Sequence, residues 1–301
     1  MGIDLHNLNF LAHAQDLGVA YTRTLAIGRQ AVFVDPPELA AHRARRGLPA
    51  LSVPPGPGPA YFEPLLREWF GAEVTDSVDA SPYEQATRVH DMNLPWPADD
   101  EARGRYDAVL DFGCLEHVFD FPTAWRNCID LCRVGGHVLH ALPANNLSGH
   151  GFFQFSPELF CNLYQPSRGF ELRGLYFAMK AEPRCWWRVA NPLQVRRRVT
   201  LCNGHEVYLL VLARKLAEPG RLPAPQQSDY ALAQWQGAPD SAPPPAAPSR
   251  VAGPLARIGV LDLARRWRHR LHALGGVALD LPLPDYERVD VAALTARRAG
   301  G

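Results

Sequence analysis

The sequence lacks an excess of charge of either sign. Its 301 residues contain 31 lysines and arginines and 31 aspartates and glutamates, so the formal net charge is zero. No global electrostatic field would therefore attract nucleic acid or another strongly charged partner, and any electrostatic contact depends on a local patch. We expect no nucleic-acid partner.

The sequence also lacks long apolar runs and closely paired cysteines. No hydrophobic stretch is long enough to cross a bilayer, and the first residues do not combine the basic and apolar regions of a secretory signal. The six cysteines include no Cys-x-x-Cys pair, which argues against a zinc site built from cysteines. These absences favour a cytoplasmic protein whose cysteines are buried or incidental thiols.

Strand-like and helix-like patterns alternate along most of the chain. Strands are predicted at 23–27, 73–78, 87–90, 106–112, 137–142, 172–177 and 206–213. Helices are predicted at 5–17, 62–70, 121–133 and 157–163. Such alternation requires crossover connections, which place helices on both faces of a parallel sheet. The predicted fold is α/β and doubly wound, with a mostly parallel seven-stranded sheet and a C-terminal helical appendage.

The composition changes near residue 217 and divides the chain into three parts. Residues 1–216 form the predicted α/β domain, and residues 217–254 are rich in proline and alanine, which favours a linker. Residues 255–301 contain a basic amphipathic helix with Arg265 and Arg266 on its polar face. This helix either packs on the domain or makes a peripheral contact with a membrane or another protein.

Polar residues follow the second and third predicted strands. In an open parallel sheet, ligands bind beyond the carboxyl ends of the strands. Asp79 follows the second strand, where its carboxylate could accept both hydroxyls of a ribose. Asp91 and Met92 follow the third, where they could bind an exocyclic amine and lie against a flat ring. Ordinary capping of strand ends is the alternative for each.

Further polar residues follow the fourth and fifth strands. Asp111, Glu116 and His117 come after the fourth strand, and Asn145, Asn146 and His150 come after the fifth. A histidine can take a proton from a hydroxyl, so His150 and His117 are candidate bases, although either could serve a structural role. Glu116, His117, His140 and His150 are competent metal ligands, but their spacing matches no recognised pattern, and no metal site is predicted.

Residues 106–143 resemble the latter half of class I S-adenosylmethionine-dependent methyltransferases. The matching features are a strand, Leu115-Glu116-His117, a helix, Gly135-Gly136 and a strand ending at Pro143, in that order. The resemblance covers about residues 21–215. It implies that S-adenosylmethionine is the cofactor, that Asp79 holds its ribose, that Asp91 and Met92 contact its adenine, and that the segment from Asp111 lies beside its methionine portion.

The chain departs from this family directly after the first strand. The family has a Gly-x-Gly-x-Gly loop there, whereas this sequence has Gly28-Arg29-Gln30 and retains only Gly28 of the glycines. Glycine allows backbone to approach a cofactor closely, so Arg29 and Gln30 would crowd or fill that space. The alternative function is therefore a methyltransferase-like fold that has lost methyl transfer and acts as a binding or scaffold subunit, or catalyses another reaction.

The loop at 145–157 resembles that of methyltransferase-like proteins associated with surface-polysaccharide or secondary-metabolite pathways. The resemblance implies a small-molecule or glycan acceptor that offers a hydroxyl group. Glu116, Asn145, Asn146 and Phe152 are the predicted acceptor-binding residues, and Phe153 and Phe155 are expected to shape the pocket. The predicted function is methyl transfer to oxygen.

Overall fold

A computed structural model describes residues 2–52, 60–196, 198–199, 201, 203–220, 222–230 and 286–296. Most of the predicted linker and the predicted basic helix lie outside these residues. Within the described ranges, no helix is both long and apolar enough to cross a membrane.

The described residues form one sheet of nine strands. The strands are β1 (Arg23–Ile27), β2 (Val74–Asp79), β3 (Arg88–Val89), β4 (Tyr106–Asp111), β5 (Cys132–Asn145), β6 (Phe170–Met179), β7 (Cys185–Val189), β8 (Val207–Lys215) and β9 (Tyr286–Asp290). Their order across the sheet is β3-β2-β1-β4-β5-β8-β6-β7-β9. The first five strands pair in parallel, and each later pairing is antiparallel. The prediction of an α/β fold with a mainly parallel central sheet is confirmed.

The prediction of seven strands is wrong, because β7 and β9 extend the antiparallel edge. β7 is only five residues long and is buried at four of them, so it lacks the alternation of a half-exposed strand. β9 follows the predicted basic helix in sequence and pairs with β7 through residues about 100 positions away. Neither strand can be recognised from its local sequence pattern, because pairing with a neighbouring strand determines its extended conformation.

Helices pack on both faces of the sheet. They are α1 (Leu5–Asp16), α2 (Pro36–Arg46), α3 (Glu63–Phe70), α4 (Phe121–Leu131), α5 (Pro157–Leu163), α6 (Pro192–Val195) and α7 (Val291–Thr295), with 3₁₀ turns at Leu115–His117 and Pro166–Arg168. The predicted start of α5 is confirmed, since the Ser156 side chain accepts a hydrogen bond from the Glu158 amide at 3.0 Å. α2 was not predicted because Leu39 is the one large aliphatic residue among its 11 residues, so its sequence shows little helical periodicity.

Two hydrophobic cores lie on opposite faces of the sheet. Leu25 and Ile27 of β1 belong to the core that includes residues of α4 and α5, whereas Ala26 between them belongs to the core that includes residues of α1 and α3. Successive side chains of a strand point to opposite faces, so a strand buried on both sides is apolar throughout. The prediction that helices cover both faces is confirmed.

The junction between α4 and β5 differs from the prediction. The helix was expected to continue to residue 133 and the strand to begin at 137, but α4 ends at Leu131 and β5 begins at Cys132. The Lys215 ammonium, which is fully buried, donates to the backbone oxygens of Ile129 at 2.9 Å and Cys132 at 2.8 Å. This cation satisfies carbonyls at the end of α4 and allows the abrupt change from helix to strand.

Candidate cofactor and acceptor site

The carboxyl ends of β1 to β5 lie along one edge of the sheet. Ile27 pairs with Val78 on one side and with Asp111 on the other, and Asp111 pairs with His140. The strand order reverses between β1 and β4, because β2 and β3 lie on one side of β1 and β4 and β5 on the other. Ligands of doubly wound sheets bind at such a switch point, so this edge is the candidate site.

The segment after β1 is closed by its own side chains. Gly28 has a positive φ of 75°, and Gln30 folds back so that its Nε2 donates to the oxygens of Ile27 at 2.9 Å and Gly28 at 3.2 Å. Arg29 instead turns toward α3, where it pairs with Glu63 at 2.7 Å and lies 3.9 Å from the centre of the Tyr61 ring. Gln30 therefore fills space that glycine would leave open.

No helix begins directly after β1. Ala31 and Val32 form β-bridges with Tyr61 and Ile3, and α2 starts only at Pro36. The segment thus lacks a helix N-terminus next to the strand, which is the usual anion-binding feature of dinucleotide folds. Any ligand at this point is held by side chains and strand ends rather than by such a terminus.

The three polar residues predicted after β2 and β3 have different environments. Asp79 is half-buried, and no described group donates a hydrogen bond to its carboxylate. Asp91 is exposed and accepts from the amide of Asn93 at 2.9 Å and from its side chain at 2.8 Å, which lowers the pKa of Asp91. Met92 is only 4% exposed and packs in the core. Asp79 alone is free to bind a ligand without rearrangement.

Asp111 is buried and forms part of a hydrogen-bonded chain beneath the site. One of its oxygens accepts from the amides of Cys114 at 3.1 Å and Leu115 at 3.2 Å, and the other lies 2.7 Å from Nδ1 of His140. Nε2 of His140 lies 2.6 Å from the hydroxyl of Tyr164. These partners occupy the Asp111 carboxylate, which fixes the turn that follows β4.

Glu116, His117 and His150 come together beyond β4 and β5. Nε2 of His150 lies 3.3 Å, and Nε2 of His117 lies 3.8 Å, from Oε1 of Glu116. The two imidazole rings are 5.0 Å apart between centroids. Burial, followed by the charge of Asp111, raises the pKa of Glu116 from 4.5 to about 8, and burial lowers the pKa of both histidines. The two candidate bases predicted from the sequence therefore share one site with Glu116.

The loop after β5 packs directly on the backbone of Glu116. The amides of Phe152 and Phe153 donate to the Glu116 carbonyl oxygen at 2.7 and 3.3 Å. Gly151 has a φ of 79°, and a Cβ atom at this position would lie 2.8 Å from Cγ of Glu116. A glycine is required here by both backbone conformation and space, a role that the sequence analysis did not assign to it.

Aromatic side chains lie beside the cluster. Phe119 and Phe152 are 77% and 69% exposed and contact each other edge to face at 6.2 Å. The contacts continue through Phe153 to Phe155, which is buried. Phe152, Phe153 and Phe155 were predicted to shape a pocket, whereas Phe119 was missed because nothing in its local sequence marks it as a neighbour of residue 152.

The remaining predicted residues have structural contacts. Nδ2 of Asn145 donates to Oδ1 of Asn203 at 3.2 Å, and Nδ2 of Asn146 donates to the backbone oxygens of Asn203 and His205. Both amides therefore fasten the loop before β8. His140, considered among the metal ligands, lies in the core with Asp111 and Tyr164, whereas the other three candidates have ligand atoms within 4.8 Å of one another. The spacing of the four candidates along the chain matches no recognised metal site, yet three of them lie close together in the structure.

The strand order and the polar edge define a doubly wound α/β protein whose candidate ligand site lies at its switch point. No protein-family model matches the chain, and no curated protein matches it. Among solved structures, the chain is similar to the trans-methyltransferase CalH in complex with SAH, with 15% identity and a TM-score of 0.33. The match covers 70% of this chain and 55% of the length of CalH.

For two further similar structures, the match covers a larger share of the other protein. The 1,6-didemethyltoxoflavin-N1-methyltransferase of Burkholderia thailandensis is 14% identical over 71% of this chain and 79% of its own, with a TM-score of 0.36. The [4+2]-cyclase SpnF is 13% identical over 70% of this chain and 80% of its own, with a TM-score of 0.38. Similarities this weak leave the function to be argued from the site.

Proposed function

We propose that this chain is an S-adenosylmethionine-dependent methyltransferase that acts on a hydroxyl group of a small molecule or sugar. The observation that carries the proposal is the cluster of Glu116, His117 and His150 at the switch-point edge. The sequence resemblance of residues 106–143 supports the same class of reaction. The cluster supplies groups that accept a proton, and the edge is where a cofactor binds in folds of this kind.

Two hydrogen-bond acceptors near the ends of β1 and β2 fit the proposed cofactor. The Asp79 carboxylate has no hydrogen-bond partner among the described residues and could accept both ribose hydroxyls. Oε1 of Gln30 is buried and also has no partner there, which leaves an acceptor for an amino or hydroxyl group. In this chain, Asp79 and Gln30 would hold the cofactor in place of a glycine-rich loop.

S-adenosylmethionine, when bound, supplies an electrophilic methyl group. The protein then has to orient the acceptor and remove a proton from its hydroxyl group. Nε2 of His117 and Nε2 of His150 are the two ring nitrogens that face Glu116, and either could receive that proton. Phe119 and Phe152, each two residues after one of these histidines, offer an exposed apolar surface for the carbon skeleton of the acceptor.

Cofactor binding is tested by calorimetric titration of the full chain with S-adenosylmethionine and S-adenosylhomocysteine. We expect micromolar binding that falls by about 10- to 100-fold in Asp79→Ala, because a charge-assisted hydrogen-bond pair is lost. Glu73→Ala is the matched control, since Glu73 is an exposed carboxylate just before the opposite end of β2. Unchanged affinity in Asp79→Ala would contradict the assigned ribose contact.

Methyl transfer is tested by mass spectrometry with a panel of sugar and other hydroxyl acceptors. We expect a methyl ether product and an equal amount of S-adenosylhomocysteine. Folded protein that binds neither form of the cofactor would refute the proposal. That result would favour the alternative of a binding subunit or another reaction in the same crevice, for which the filled space beside Gly28 is the supporting observation.

A further inference from the structure

Glu116 is a buried carboxyl group at the centre of the cluster. Its side chain is fully buried, and neither Oε1 nor Oε2 has a hydrogen-bond partner among the described residues. A carboxylate in such surroundings is unfavourable unless it is protonated or faces a positive charge. The residue therefore occupies a position at which a cation would be stabilised.

Two imidazole nitrogens face the same carboxyl oxygen from different loops. The separations from Oε1 of Glu116 are 3.3 Å to His150 and 3.8 Å to His117. Two ligands of a tetrahedral ion with bonds of about 2.1 Å are about 3.4 Å apart. Nε2 of His150 is also buried and has no hydrogen-bond partner within the part of the chain that the structure describes, so it is a second unsatisfied polar atom at this point.

The surrounding structure holds this arrangement in place. Asp111 accepts hydrogen bonds from the turn that carries Glu116 and His117, and the Glu116 carbonyl accepts from the loop that carries His150. Close packing of Gly151 against Glu116 fixes the distance between the two loops. Preorganised ligands of this kind lose little entropy on binding an ion.

We propose that Glu116, His117 and His150 bind a divalent transition-metal cation such as Zn²⁺, Co²⁺ or Mn²⁺. Two imidazoles and one carboxylate suit these ions, whereas Mg²⁺ and Ca²⁺ prefer oxygen ligands alone. The side chains of His117 and His150 are 48% and 34% exposed, so one side of the ion would remain open to an incoming ligand.

The consequence for catalysis rests on the proposed function. A cation lowers the pKa of a hydroxyl group that binds to it, so the ion would take the place of a histidine base in preparing the acceptor. Metal binding itself does not depend on S-adenosylmethionine, and the two proposals are tested separately.

The test uses tag-free, chelator-treated full chain titrated with Co²⁺ and followed by calorimetry and by visible absorption. We expect one ion per chain with a spectrum typical of nitrogen and oxygen ligands and without a thiolate charge-transfer band. Glu116→Gln, His117→Gln and His150→Gln should each weaken binding by about 100-fold or more, since even the loss of an indirect contact costs 10- to 100-fold. His90→Gln, at the end of the edge strand β3 and away from β4 and β5, should leave affinity unchanged.

Folding of each variant is checked by circular dichroism. Glu116→Gln retains the shape of the side chain and removes its charge, so we expect it to fold. The proposal is overturned if the wild-type chain binds no Co²⁺, Zn²⁺ or Mn²⁺, or if binding persists undiminished in the Glu116→Gln and His150→Gln variants. If the wild-type chain binds no metal but binds the cofactor through Asp79, only the metal site is rejected. If it binds the metal but not the cofactor, only the proposed cofactor is rejected.

Discussion

Gly151 passes so close to Glu116 that it has no room for a side chain. Its positive φ adds a second constraint, because residues with a Cβ atom rarely adopt that conformation. By contrast, a Cβ atom on Gly149, two residues earlier in the same loop, would meet nothing within 4 Å. Comparing substitutions at Gly151 and Gly149 therefore distinguishes the effect of the close approach to Glu116 from the effect of loop flexibility.

We expect Gly151→Ala to lower the free energy of unfolding by about 1–3 kcal/mol and to weaken metal binding and methyl transfer together. The added methyl group would displace the loop that carries His150. Gly149→Ala should change each of these quantities little. Urea denaturation and Co²⁺ titration of both variants provide the measurement, and equal behaviour of the two would show that the close approach at Gly151 is unimportant.

Asp111, which forms a hydrogen-bonded chain with His140 and Tyr164, was predicted at the correct position but has contacts that indicate a structural role. Asp111 does lie at the end of β4, as predicted. Its oxygens, however, are used by the following turn and by His140. The contribution of Asp111 is thus to position Glu116 and His117, and it stays only a prediction that the residue also contacts a cofactor.

At the scale of elements, the edge strand β9 connects the C-terminal region to the sheet. It pairs with β7 over five residues, and Tyr286 and Val291 are almost fully buried. The backbone oxygen of Thr295 in α7 accepts a hydrogen bond from Arg46 of α2 at 2.9 Å. Residues assigned in the sequence analysis to a helical tail therefore include part of the folded sheet.

Deletion of residues 286–301 should destabilise the protein by about 3 kcal/mol or more. Two large apolar side chains would be lost from the core, and the edge of β7 would be exposed to pairing with other chains. Deletion of residues 297–301 alone, which leaves β9 and α7 present, is the control. Thermal unfolding and light scattering would reveal both effects, and identical melting of the two truncated chains would contradict the role assigned to β9.

At the scale of the whole molecule, three buried histidines link stability to pH. Burial lowers the pKa of His13, His42 and His137 from 6.5 to about 4 in the folded protein. The unfolded chain therefore binds more protons between these pH values, and stability is lost as the pH falls from 6.5 toward 4. Each histidine contributes up to about 3 kcal/mol to this loss.

His42→Gln should reduce the slope of unfolding free energy against pH by about one proton between pH 6.5 and 4. His42 stacks on Trp69, and its Nδ1 donates a hydrogen bond to Oδ1 of Asn9, so the substitution also has a structural cost. Denaturation at pH 8, where neither state is protonated at this residue, measures that cost separately. A slope equal to that of the wild-type chain would show that His42 does not take part in acid unfolding.

The sequence alone predicted the parallel part of the fold and much of its polar edge. β1 was predicted with its observed bounds, and α5 was predicted together with its Ser156 cap, because both signals come from residues adjacent in sequence. The polar residues after each strand could be placed on one edge because parallel strands end on the same side. Gln30 was also expected to fill the missing glycine space, as it does.

Tertiary structure alone decided which of those polar residues meet. Asp91 lies after β3 as predicted, and Asn145 is the last residue of β5, but the side chains of both bond to nearby loops. His150 contacts Glu116, whereas His140 does not. The same is true of β9, whose partner β7 lies about 100 residues earlier. Periodicity and capping depend on neighbours along the chain, but a strand partner or a ligand cluster depends on long-range packing that no local pattern contains.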